Sequence, residues 1–124
     1  YCIPLSLVRV GDDLFFHCAL EGRKLDLLRR DPRVCVTFVA ADQPAYLPES
    51  NMYTTFFQSA VVTGTAFEVT DPGQKTAALR ALCEKMTPGH MEGFEEAVRR
   101  SLPSTAVWGI HMEEVTGKEK ARKR

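Results

Sequence analysis

The sequence carries no net charge: sixteen Lys and Arg residues are cancelled by sixteen Asp and Glu. That balance argues against a dedicated nucleic-acid binder, which needs a basic excess or a basic face to replace counterions on phosphates. Cysteine is confined to Cys2, Cys18, Cys35 and Cys83, and no two of them are spaced as C-x-x-C. A zinc knuckle and a thioredoxin-type redox motif are thereby excluded. Each cysteine lies in an apolar stretch, where a free thiol packs as a small hydrophobe, so a reducing, cytoplasmic compartment is expected. No apolar run reaches the length of a membrane span and no signal-peptide pattern is present, so neither insertion nor export is expected. Aromatic residues make up only 9% of the chain, without the aromatic–basic interleaving of single-strand binders. Repeats and low-complexity blocks are missing as well.

What is present describes an ordinary globular domain. Apolar residues account for 44% and charged residues for 26% of 124 residues, which suits one domain over residues 1–124. A chain of this length buries roughly two-thirds of the surface its unfolded form exposes. It opens at Tyr1 rather than at a methionine, already inside a strand-like pattern, so a preceding piece is expected.

Cys2 to Val10 reads as a strand, Gly11-Asp12-Asp13 as a turn and Leu14 to Cys18 as its hairpin partner. Gly22 to Arg30 reads as a short helix stopped at Asp31-Pro32, since the residue before proline is pushed out of the helical region. Val34 to Ala40 is a branched apolar run and predicts a buried strand. Ala41 to Asn51, with Pro44 and Pro48, reads as a loop. Tyr53 to Val69 predicts a long strand in which Gly64 marks a bulge or a close backbone approach. Asp71-Pro72-Gly73-Gln74 is a helix start with a capping box, and Leu79, Leu82, Cys83 and Met86 form its apolar face. Pro88-Gly89 breaks it, Met91 to Ser101 predicts another helix, and Ala106 to Val115 the last strand. The basic tail from Lys118 to Arg124 reads as a frayed, solubilising end. This order leaves few parallel crossovers, so the sheet should be mainly antiparallel and closed or half-closed.

The helix at Gly22 is the most informative segment. A helix start offers unpaired N–H groups and a partial positive charge, which sequences normally meet with a polar cap and acids. Here Arg23 and Lys24 fill the first turn and only glycine can cap. Two cations beside the positive end cost about 0.3–1 kcal/mol each at an exposed site, and a bound anion such as a phosphate reverses that sign. The bland alternative is that both side chains splay into water or pair with Glu21 and Asp26. Gln58 and Ser59 interrupt an apolar strand on both faces and are polar groups in need of partners, unless one simply faces solvent. His17 and Cys18 admit three roles: metal ligands, a catalytic pair, or the lining of a pocket. Adjacent strand residues point to opposite faces, so the catalytic pair is geometrically poor, and His90 and His111 do not obviously complete a metal site. Pocket lining is the favoured reading for His17. Trp108 reads as core, with stacking on a ring as the lesser alternative.

The run from Phe16 to Asp26, with Asp31-Pro32-Arg33-Val34-Cys35, resembles the pyridoxamine 5′-phosphate oxidase-like superfamily and, more closely, its nitroimidazole-resistance branch. Thr54 to Ser59 through Gly64-Thr65-Ala66, the helix after Asp71 and the ending Glu114 to Glu119 are similar in the same order. The resemblance spans essentially the whole chain. It implies a mainly β, antiparallel, six-stranded split β-barrel of Greek-key type with flanking helices, whose N-terminal strand is absent from this chain. It also implies a homodimer with a flavin mononucleotide, FMN, in each cleft between subunits. By position, Arg23 and Lys24 would hold the phosphate, and His17 and Cys18 would lie along its phosphate and ribityl side. Leu5 and Ser6 would run beside the flavin ring, and Gln58 and Ser59 would be polar cofactor contacts. The family usually has an arginine where Gln58 stands, which implies a looser grip here.

The function expected from this is transfer of electrons from a reduced nicotinamide to a small acceptor, a nitroaromatic or quinone. No residue demands a catalytic role, and His17 is the weak candidate for one. No metal, nucleic-acid or membrane partner is expected. The rival reading is a non-catalytic module that stores or senses flavin or a haem-like ligand.

Overall fold

Glycine makes the first turn. In the computed structural model, which describes residues 1–123, Gly11 adopts φ +62°, a left-handed conformation open to glycine at no steric cost. With Asp12 it joins β1 (Val8–Val10) antiparallel to β2 (Asp13–Cys18), Val10 facing Asp13. The strand expected over Cys2–Val10 is cut to these last three residues; Pro4, which has no N–H to give to a ladder, lies in the part that does not pair.

Helix α1 (Arg23–Arg30) ends as expected, with Asp31 extended at φ −147°, ψ 104° ahead of Pro32. Strands β3 (Arg33–Leu47) and β4 (Met52–Val69) then form the longest hairpin. The loop expected over Ala41–Asn51 is a correction: pairing resumes at Gln43 opposite Phe56 and continues to Leu47 opposite Met52. A register shift between Ala40 and Gln43, with Ala41 at φ +52°, absorbs the irregular residues. Pro44 is tolerated because β3 is an edge strand, paired on one side only.

Asp71 caps α2 (Pro72–Met86) through Oδ2, which accepts from the Gln74 amide at 2.9 Å, and Pro72 occupies the first turn. A 3-10 turn at Pro88–His90 follows, so α3 (Phe94–Ser101) is shorter than the expected Met91–Ser101 helix. Strand β5 (Ala106–Lys120) overruns its expected end at Val115. The start of the basic tail is therefore laddered rather than frayed, with Lys118 opposite Ser59 and Lys120 opposite Phe57. The length of β4 supplies the partner that composition could not reveal.

Among the described residues the sheet has five strands in the order β1-β2-β5-β4-β3, every neighbouring pair antiparallel. This is the expected mainly β class in its split form, open between β1 and β3. Gly64 sits at a register shift where a Cβ would lie 2.1 Å from the His111 carbonyl oxygen, so strand and backbone approach as the glycine foretold.

Side-chain alternation divides the interior. Leu14, Phe16, Val62, Ala66, Trp108 and Ile110 form one core with Leu25 of α1. On the other face Val69 and Val107 pack with Ala78 and Leu79 of α2 and Phe94 and Val98 of α3. A side chain buried as fully as Leu25 contributes about 1.5–3 kcal/mol by leaving water. Among the described residues no helix is long and apolar enough to cross a membrane.

Candidate functional site

Strand β2 delivers the chain to α1 through a short loop ending at Gly22, whose φ of +147° and ψ of 169° favour glycine. No side chain caps the helix, and the first amide bonded within it is that of Asp26, to the Gly22 carbonyl at 3.1 Å. The amides of Arg23, Lys24 and Leu25 thus lead the helix without a side-chain acceptor. Among the described residues neither Arg23 nor Lys24 makes an ion pair, so the expected alternative pairing with Glu21 or Asp26 does not occur. Instead the Arg23 guanidinium lies 5.1 Å from the Tyr1 ring centroid and the Lys24 ammonium 5.5 Å from that of Phe16. Helix α2 has its Asp71 cap and α3 has Glu95 and Glu96 in its first turn. In α1 the one first-turn acid is Asp26.

His17 and Cys18 part company, as strand alternation requires. Cys18 is half-buried against the α1-side core, and burial pushes its thiol upward, partly offset by Lys24 and Arg29. It is a thiol at neutral pH rather than a thiolate. His17 is exposed and lines, with Ser6, a groove of about 420 Å³ on the side of α2 and α3. Leu82, Cys83, Met86 and Phe94 form its apolar wall, within the size range of small-molecule sites. Leu5 and Ser6, just ahead of β1, are exposed. Trp108 is buried core as expected, yet its Nε1 has no hydrogen-bond partner among the described residues. The Arg29 guanidinium stands 5.9 Å from its ring centroid.

Gln58 and Ser59 lie elsewhere. His17 and Val69 both face Val107, so they share one row of the sheet. Ser59 is ten residues further along β4, about 33 Å of strand. The structure therefore groups Leu5, Ser6, His17, Cys18, Arg23 and Lys24 at one end of the sheet and leaves Gln58 and Ser59 near the other. Towards that far end the sheet is uncovered: Val39, opposite Ser59, is 70% exposed and Val61 39%. Cys35 is exposed there too and Cys2 near the start, correcting the reading of all four cysteines as packed hydrophobes.

Two features escaped the sequence reading. Tyr1 and Phe16 form aromatic seats for the α1 cations, for which no sequence signal existed. Lys118 and Lys120 flank Ser59 and Phe57, and their alternate spacing was the available signal, masked by the basic composition around it.

A pyridoxamine 5′-phosphate oxidase family model matches residues 1–119. No curated protein matches the sequence. Among solved structures, a candidate 5-nitroimidazole antibiotic resistance protein from Bacteroides thetaiotaomicron superposes with a TM-score of 0.77 at 26% identity. That match covers 94% of this chain and 67% of the other. A flavocytochrome from Azotobacter vinelandii gives 0.79 at 22% identity, over 98% of this chain and 56% of its own. An FAD- and haem-binding protein from Mycobacterium smegmatis gives 0.76 at 22%, over 94% of this chain and 58% of its own. The chain thus spans little more than half the length of the last two, and their likeness is one of fold. Matched by that family model from its first residue through β4 and nearly all of β5, the chain belongs to the pyridoxamine 5′-phosphate oxidase family.

Proposed function

We propose that the chain binds flavin mononucleotide and acts, as a homodimer, to pass electrons from a reduced nicotinamide to a small nitroaromatic or quinone acceptor. The observation that carries this reading is the start of α1, where Arg23, Lys24 and three leading amides stand with no side-chain cap and, among the described residues, no ion pair to either cation. A phosphate dianion fits that donor set in charge and in hydrogen bonding. Family membership and a similarity to flavin-binding structures point the same way.

When bound, the flavin would supply the electron-transfer chemistry. Arg23 and Lys24 would fix its phosphate. His17 would lie along the ribityl chain from the groove side, and Cys18, on the opposite face of β2, would approach it from the α1 side. Leu5 and Ser6 would border the ring beside the groove, whose apolar wall of Leu82, Met86 and Phe94 would exclude water from the acceptor. Gln58 and Ser59 are too far along β4 to join this corner within one chain. A second copy packed on the uncovered sheet around Val39 and Val61 would bring Ser59 of the partner subunit to it, which makes dimerisation part of the site.

The absorption spectrum of the purified protein tests the cofactor, and turnover with reduced nicotinamide tests the activity. Flavin bands that weaken when Arg23 and Lys24 are both replaced by Ala support the phosphate seat. A cofactor retained equally by that double variant rejects it. The flavocytochrome and the FAD- and haem-binding protein among the neighbours favour one second reading, storage of flavin or a haem-like ligand. A coloured protein that stays idle with every donor supports that reading instead.

A further inference from the structure

We infer that Lys85 is a positioning residue for the flavin ring: from the last turn of α2 its ammonium pins the Leu5–Ser6 segment beside the groove. The inference rests on the flavin reading, in which that segment borders the ring. Lys85 Nζ donates to the Leu7 carbonyl at 2.6 Å, across 78 positions of sequence, in a half-buried contact. Leu7 is buried at 6% exposure, and a carbonyl left there without a donor would be costly. Pairing of β1 with β2 starts only at Val8 opposite Phe15, so Leu5 and Ser6 stand ahead of the ladder. Among the described residues the Lys85 bond is the one hydrogen bond outside the ladder that holds residues 1–7.

The other end of the same segment meets a second cation, since the Tyr1 ring centroid lies 5.1 Å from the Arg23 guanidinium. Tyr1 to Leu7 thus runs as a strap from the phosphate seat to the groove, with Leu5 and Ser6 next to the Lys85 tie. Ser6 and His17 line one side of that groove and Leu82, Cys83 and Met86 of α2 the other. Lys85 adjoins Met86, so its bond ties the two walls together. A lysine in a last turn ordinarily serves the negative end of its own helix. Here Thr87 serves that end, its amide and its hydroxyl both donating to the Cys83 carbonyl. Among the described residues Lys85 makes no ion pair either, which leaves its ammonium to the strap. Lys75, at the opposite end of α2, reaches the Leu102 carbonyl at 3.4 Å, a longer contact away from the strap.

Lys85→Met removes the ammonium and keeps the apolar stem, whereas Lys85→Arg keeps a charged donor. Amide nitrogen relaxation on the purified protein should show Ser6 and Leu7 order parameters falling from about 0.85 to below about 0.6 in Lys85→Met. Lys85→Arg should restore them. In Lys85→Met the visible flavin bands should shift, and affinity should fall about tenfold for FMN and riboflavin alike, since both carry the ring. Arg23→Ala with Lys24→Ala should instead weaken FMN far more than riboflavin, which has no phosphate. Lys75→Met should leave the order parameters and the bands as in the native protein. Unchanged order parameters in Lys85→Met overturn the proposal, as do unmoved flavin bands, a loss confined to FMN, or an equal change in Lys75→Met. A native protein that takes up neither flavin rejects the flavin reading and the ring role with it. The order parameters need no flavin, so they separately decide whether Lys85 holds the strap.

Discussion

Phe67 lies directly over the bare Cα of Gly109: a Cβ added there would meet the ring at 2.3 Å. The two residues face each other across β4 and β5, and Phe15 faces Gly109 from β2. Because the glycine has no side chain, the Phe15 and Phe67 rings meet edge to face, 6.2 Å apart at 88°. The absence of one methyl group is thus what lets three strands share an aromatic pair.

Gly109→Ala should therefore destabilise the protein by about 1–3 kcal/mol through overpacking. Urea unfolding measures the loss, and adding Phe67→Leu should recover part of it. Gly64→Ala should be worse, since its Cβ would press on the His111 backbone oxygen, which cannot swing aside as a ring can. Equal stability of native and Gly109→Ala proteins would show that the ring moves freely.

Removing the Asp71 carboxylate strips α2 of its only side-chain cap. Asp71→Ala should cost about 1 kcal/mol, and Asp71→Ser should restore most of it. Thermal unfolding of the three proteins checks the order.

At α1 the expected direction is set by charge. Arg23→Ala and Lys24→Ala should each weaken flavin retention by about 1.5–3 kcal/mol if each makes a charged hydrogen bond, about ten- to a hundredfold. Raising the salt concentration should weaken the native protein's hold more than that of the double variant, as screening requires. Equilibrium dialysis reads both.

Stability should also follow pH through two exposed pairs. His111 Nδ1 is 2.8 Å from Asp13 Oδ1, and that hydrogen bond raises the imidazole above its ordinary range near 6.5. A raised folded value means that the contribution is complete below about pH 6.5 and is lost as pH climbs through the folded value. The native unfolding midpoint should fall more than that of Asp13→Asn between about pH 6 and pH 8. Asp31 behaves oppositely: its hydrogen bonds from Arg33 lower it from 3.8 to about 2. Its contribution is present above 3.8 and is lost as pH drops towards 2, so Asp31→Asn should flatten the acid limb of the profile.

The fold was legible where its signals were local. Gly11, the Asp31-Pro32 stop, the Asp71 cap and the bulge at Gly64 each depend on a few adjacent residues, and each stands where the pattern placed it. The misreadings at Gln43–Leu47 and Lys118–Lys120 share a cause. Proline and charge were weighed as breakers, whereas an edge strand tolerates both when a long partner such as β4 is there to pair with. The candidate site divides in the same way. His17 to Lys24 are contiguous, so their grouping could be read directly. The separation of Ser59 from His17 depends on which rows β5 matches to β2 and β4, a ladder register that no local pattern encodes. The exposure of Cys35 likewise turns on which part of the sheet the helices leave bare.

The placement of Arg23 and Ser59 at opposite ends of one sheet has a genetic corollary. If each cofactor chamber borrows one wall from either chain, two defective proteins can repair one another. A chain with Arg23→Ala and Lys24→Ala, co-expressed with a chain altered at Gln58 and Ser59, would form hybrids in which one chamber inherits every fault and the other none. Colour returning on mixing two bleached parents would be the sign of it.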